Sequence, residues 1–152
     1  MKNNNIKIIY DIFKIIWYVT IICVIGIFVS LIGSMVNYGN TTNNIMAIFF
    51  ILSSLLFLLS IYELKSIIST VVEGRPFIES NITSFKKISL YNIIIAIFIL
   101  IYQLLTTEIK NIHFLYLNQD KISINISILI FILISLFSLI LAEIINYGTK
   151  QI

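Results

Sequence analysis

Four stretches of about 18 to 22 residues, 15–36, 45–62, 88–107 and 122–142, contain no Asp, Glu, Lys or Arg. This segregation of charge constrains the chain more than any other feature. A run of that length, wound as a helix rising about 1.5 Å per residue, crosses a hydrocarbon core about 30 Å thick. In lipid the backbone must satisfy its own hydrogen bonds, and a helix does so within one segment. The expected fold class is therefore an all-α integral membrane protein with four transmembrane helices. The overall content agrees, with 59% hydrophobic and 11% charged residues where soluble domains carry about 25% charge. The runs use most of the 152 residues, so one membrane domain is expected and no separate soluble one.

A secretory signal is the rival reading of the first run. A signal's apolar region is about 7 to 15 residues and ends in small residues, whereas residues 15–36 are longer and lack such a site. The run is read as a retained span. The single Cys23 lies in mid-span, so no intramolecular disulfide can form and the thiol is assigned to packing.

Before span one, Ile9, Ile12, Phe13 and Ile16 recur at helical spacing, opposite Lys7, Asp11 and Lys14. Helix one is thus expected to start near Asn5. Trp17 and Tyr18 mark one membrane interface and Tyr38 the other. Gly26, Ser30 and Ser34 stand four residues apart, and small residues at this spacing allow close helix approach. They are expected to form a contact with another helix of the same chain, the alternative being a homo-oligomer seam.

The uncharged link of residues 37–44 is short enough to fold spans one and two into an antiparallel hairpin. The Ser53-Ser54 pair in span two can bond back to its own helix. Residues 63–87 then hold the only Pro, the only Arg and seven of the seventeen charged residues. Ile67, Ile68, Val71 and Val72 share one face, opposite Lys65, Ser66, Ser69, Thr70 and Glu73. The helix should therefore continue as an amphipathic segment along the membrane surface. Gly74 suits its C′ position, Pro76 prevents resumption, and Ser80 or Asn81 can cap the next helix. The segment reads as a cytoplasmic helix, a corner and a helix joining two antiparallel hairpins.

In span three, Ser89, Asn92, Ala96 and Gln103 fall near one face, which should look inward because amides in hydrocarbon seek partners on other helices. Residues 106–121 form the second outer loop. Beyond it Ile122, Ile124, Ile126 and Ile128 alternate with Ser123, Asn125 and Ser127, a period of two that suits a strand. Either a small outer β-hairpin precedes a span beginning near Ser127, or the helix starts at Ile122. In the first case Glu143 lies close to the inner boundary and Ser127, Ser135, Ser138 and Ala142 face the bundle.

Three Lys lie before span one, none in the first link, four Lys or Arg in 63–87, two in the second outer loop and one in the tail. The excess of eight over two places both termini and the connector in the cytoplasm. The net charge of +3 is thus a matter of orientation, and no direct nucleic-acid contact is expected.

The run Val72-Glu73-Gly74-Arg75-Pro76-Phe77, followed by Asn81, the basic pair Lys86-Lys87 and span three, resembles the connector of the bacterial domain-of-unknown-function 2975 family. Leu141-Ala142-Glu143-Ile144 with Gly148 is similar to that family's ending. The chain departs from the pattern at Ser84-Phe85-Lys86-Lys87 and Ser89, where the family carries Arg-Leu-Arg and Gly, and it lacks the family's acidic tail. The resemblance implies a small four-span cell-membrane protein, often encoded beside a small helix-turn-helix regulator, and so an association with such a cytoplasmic regulator.

The one histidine, His113, has no second His or Cys to complete a zinc site and no nucleophile beside it. No enzyme activity, catalytic residue, metal or cofactor is expected. The preferred reading is a non-enzymatic accessory or signalling component of the membrane, in contact with lipid. Its corner, Gly74, Arg75, Pro76 and Phe77 with Asn81 behind it, would present Arg75 and Phe77 to a partner, since Arg and aromatic side chains are frequent interface anchors. The competing reading of the corner is that Phe77 packs back on the bundle while Arg75 binds lipid phosphate. Alternatives of other classes are an oligomeric transporter or channel with Glu143 at its inner mouth, and an immunity protein against a membrane-active peptide.

Overall fold

The computed structural model describes residues 4–38, 41–105 and 126–150. They form four helices: α1 (Asn4–Tyr38), α2 (Thr41–Val72), α3 (Glu79–Leu105) and α4 (Ile126–Lys150). There is no strand among the described residues. The outer β-hairpin, His113 and the candidate start of span four at Ile122 fall on residues 106–125, which lie outside the described residues; α4 is described from Ile126, with Ser127 in its first turn.

All four helices are long and apolar enough to cross a membrane. Their sequences are rich in Ile, an indifferent helix former in water. In lipid the requirement to satisfy every backbone group overrides that preference. Hydroxyl side chains conform to the same rule by bonding to their own helix: Thr20 Oγ1 donates to Ile16 O at 2.8 Å, Ser54 Oγ to Ile51 O at 2.7 Å and Ser138 Oγ to Ile134 O at 2.8 Å.

The helices pack in chain order, α1 on α2, α2 on α3 and α3 on α4, and among the described residues no other pair approaches. Trp17 meets Tyr62 and Ser89 meets Ser135, while Ser60, Glu63 and Thr70 of α2 meet Asn92, Lys87 and Asn81 of α3 in reverse order, so α2 and α3 run antiparallel. The result is an open row, with α1 and α4 at its ends.

Burial inverts the order of a soluble protein. Large apolar side chains such as Ile22, Val29, Phe50, Leu104 and Phe137 stand exposed on the outer faces, where lipid covers them. The interior instead holds Ser60, Glu63, Asn81, Ser84, Ser89, Asn92, Ser135 and Ser138, beside Ile67, Ile88, Ile95, Ala96 and Ala142. Small and polar residues sit between the helices because packing and interhelical hydrogen bonds, not hydrophobicity, draw helices together in lipid. This is a multi-pass helical membrane protein.

Residues 63–87 take a form partly different from the sequence expectation. α2 passes Tyr62 without a break and continues to Val72, and α3 begins already at Glu79. The segment is the facing ends of two long helices with a six-residue corner, 73–78, between them.

Candidate functional site

The corner is built by its one glycine. Gly74 has φ +80°, a left-handed conformation that side chains disfavour, and an added Cβ would meet no atom within 4 Å. The Gly74 amide donates to Val71 O at 3.0 Å and the Arg75 amide to Thr70 O at 2.9 Å, the paired bonds of a Schellman cap. Pro76 follows at once and keeps the chain from winding on.

Asn81 holds the far side of the turn, in a role other than the expected cap. α3 starts two residues earlier, so Asn81 lies within its first turn and its amide donates to Ile78 O at 3.0 Å. Its side chain, 1% exposed, reaches backward: Nδ2 donates to Pro76 O at 2.8 Å and Oδ1 accepts from Thr70 Oγ1 at 2.9 Å. One amide thus ties the corner to the end of α2. Thr70 Oγ1 also lies 2.7 Å from Ile67 O, so a single hydroxyl proton is shared between two acceptors.

Further from the corner a second cluster joins the same helices. Glu63 is buried on α2, where Oε2 accepts from Ser84 Oγ at 2.6 Å and Oε1 from Lys87 Nζ at 2.9 Å. Beyond it Asn92 Nδ2 donates to Ile88 O at 2.7 Å and lies 3.4 Å from Ser60 Oγ. On the opposite face of α3, Ser89 and Ser135 join their hydroxyls at 2.7 Å. Among the described residues no buried side-chain polar atom lacks a hydrogen-bond partner. The sequence signal for Glu63 was its mirror position: once 73–78 is a tight turn between antiparallel helices, residue 63 must fall opposite residues near 84 and 87.

Arg75 and Phe77 behave differently from each other. Arg75 is exposed and pairs through Nη2 with Glu73 Oε2, a surface pair worth little in high dielectric. The Phe77 ring lies against α4, so close that a Cβ on Gly148 would fall 2.6 Å from Phe77 Cδ1. Its other face is open, leaving the residue 46% exposed.

The remaining candidates divide. Asn92 is buried between helices and Gln103 is half-buried. Glu143 is exposed and accepts from Asn146 Nδ2 of its own helix at 3.3 Å. The row expected to pack α1 within the chain does not do so: Gly26 and Ser30 are exposed, and nothing lies within 4 Å of a Cβ built at Gly26. The side chain of Ser34 lies outside the described residues. The cause is the open row, because α1 has one neighbour and turns Val24 and Trp17 toward it. Cys23 is likewise exposed on α1 and is not a packing residue.

Comparison of the chain with family models, with curated proteins and with solved structures yields no match in any of the three.

Proposed function

We propose that this protein is a non-enzymatic accessory or regulatory component of a bacterial cell membrane, with the 73–78 corner as its contact for a cytoplasmic partner. One observation carries the reading. The corner combines an exposed Arg75 with a backbone held by a Schellman cap, by Asn81 and by the seating of Phe77 on α4. A loop fixed in this way presents a charged side chain at little further entropic loss on binding. The buried polar side chains serve the joints between helices, which supports a scaffold.

Eight Lys or Arg fall before residue 15, in 63–87 and at Lys150, against two in 106–121, and this excess supports a cytoplasmic location for both termini and the corner. In this orientation α1 with α2 and α3 with α4 make two hairpins, joined on the cytoplasmic side. The likeness of Gly74-Arg75-Pro76-Phe77, Asn81 and the Ala142-Glu143 ending to the domain-of-unknown-function 2975 family supports a helix-turn-helix regulator as the partner.

The test is crosslinking in cells from a photoreactive residue at position 73, followed by recovery from native membranes. Capture of one cytoplasmic protein, lost in a variant with Arg75→Ala that still inserts, supports the reading. Capture of lipid alone overturns it.

A further inference from the structure

Lysines gather at one level of the helix row. On α2, Lys65 Nζ lies over the Trp17 ring of α1, 5.6 Å from its centroid, and that ring packs against Tyr62 at 5.5 Å. Lys14 is exposed one helical turn before Trp17, and the antiparallel pairing of Trp17 with Tyr62 brings it level with Lys65. On α3, Lys87 reaches Glu63 at 2.9 Å and so stands at nearly the same height, with exposed Lys86 beside it. Four lysines on three successive helices form a belt.

The opposing charge is small. Glu63 is occupied by Lys87 and Ser84, and Asp11 lies a turn beyond Lys14. Among the described residues Lys14, Lys65 and Lys86 form no ion pair with a carboxylate. To one side of the belt stand Trp17, Tyr18, Tyr62 and Tyr91, and past them Val19, Ile22, Leu55 and Leu59 are exposed. Aromatic rings favour the headgroup level, and lysines on flexible stems reach outward from it. The belt therefore lies where lipid phosphates are.

We infer that the α1–α2 junction at Lys14, Trp17 and Lys65, flanked by Lys86 and Lys87, binds the headgroup of an anionic phospholipid in preference to a zwitterionic one. A phosphodiester with net negative charge accepts from Lys14 and Lys65 together. A choline or ethanolamine headgroup brings its own cation, which the lysines repel and which competes with Lys65 for the Trp17 face. The inference rests on membrane insertion and is independent of the partner reading.

Trp17 is the chain's one tryptophan and reports on this junction alone. The full chain is reconstituted in phosphatidylcholine vesicles containing phosphatidylglycerol, with bromine-labelled acyl chains on one lipid or the other, and quenching of Trp17 emission is measured. Labelled phosphatidylglycerol should quench several-fold more than labelled phosphatidylcholine at equal mole fraction. Lys14→Gln and Lys65→Gln, read separately with helix content checked by circular dichroism, should each reduce that preference about five-fold. Quenching that follows mole fraction alone, or a preference unchanged in both variants, overturns the inference. So does a change in emission caused by inorganic phosphate in vesicles of phosphatidylcholine only, which would mark a site for the free anion.

Discussion

The Phe77 ring occupies the space that a side chain at Gly148 would need, with Cδ1 2.6 Å and Cε1 2.9 Å from the position of a Cβ there. The two stand 71 positions apart in the chain, and their contact fastens the corner to the last helix. Glycine within a helix costs about 1 kcal/mol relative to alanine, and here its bare backbone is what admits the ring.

Gly148→Ala should therefore destabilise the protein by about 1 kcal/mol when Phe77 is present, the ring being displaced from α4. In a Phe77→Ala background the same change should stabilise by up to about 1 kcal/mol, because only the helix preference remains. Unfolding by denaturant in mixed micelles, run as a double-mutant cycle, measures the difference. Strict additivity would show that the ring does not rest on Gly148.

Gly74→Ala should cost about 1 to 2 kcal/mol, and Gly74→Asn less. Nothing crowds a Cβ at this position, so the loss is conformational and a smaller residue elsewhere in the corner will not restore it. The same unfolding experiment distinguishes the three residues, and equal stability of all three would contradict the left-handed cap.

Asn81→Ala removes a donor to Pro76 O and an acceptor for Thr70 in a buried place, and should cost about 2 to 3 kcal/mol. Asn81→Asp should do more harm than its shape suggests, since an ionised carboxylate would face the Pro76 carbonyl with no proton to give. Thermal aggregation of the detergent-solubilised variants, compared at one protein concentration, gives the order.

For Glu63 the informative result is a ranking. Glu63→Gln keeps an oxygen for Ser84 Oγ, whereas Glu63→Ala leaves Ser84 without that acceptor, so the alanine variant should unfold first. Lys87→Met leaves the Glu63 carboxylate buried without its cation and should be worse than the pair Glu63→Gln with Lys87→Met. If the single variant equals the double, the ion pair contributes nothing.

Ser135 has no exposure at all between α3 and α4. Ser135→Ala should cost about 0.6 kcal/mol, the usual worth of an interhelical hydrogen bond in a membrane protein. Ser135→Leu should force the helices apart and cost about 1 to 3 kcal/mol. A disulfide-trapping assay between cysteines at 89 and 135 would show close approach in the native backbone, and weak trapping there would count against the packing.

What could be read from the sequence depended on whether the cause was local. The four helices follow from charge-free runs, and the Gly74 cap follows from a glycine two residues before proline, because both are decided within a few residues. The burial of Ser89, Asn92, Ser135, Ser138 and Ala142 also follows, since a polar or small face on an apolar helix has one favourable direction. The side to which Gly26 and Ser30 turn could not be read in this way, because it depends on how many helices surround α1. Asn81 is a near case: a two-residue shift in the start of α3 changes it from a cap into a tie across the corner. The seating of Phe77 on Gly148 leaves no local trace, since each residue is ordinary in its own neighbourhood.

The row of helices also bears on how the molecule is made. Among the described residues each helix after the first rests on the one before it, and none waits for a later helix to close a ring. A chain leaving the ribosome can thus bury α2 against α1, then α3 against α2, with every step leaving a stable edge for the next. Assembly in the order of synthesis requires no rearrangement, and the Phe77 seat on Gly148 is completed only when the end of α4 has emerged.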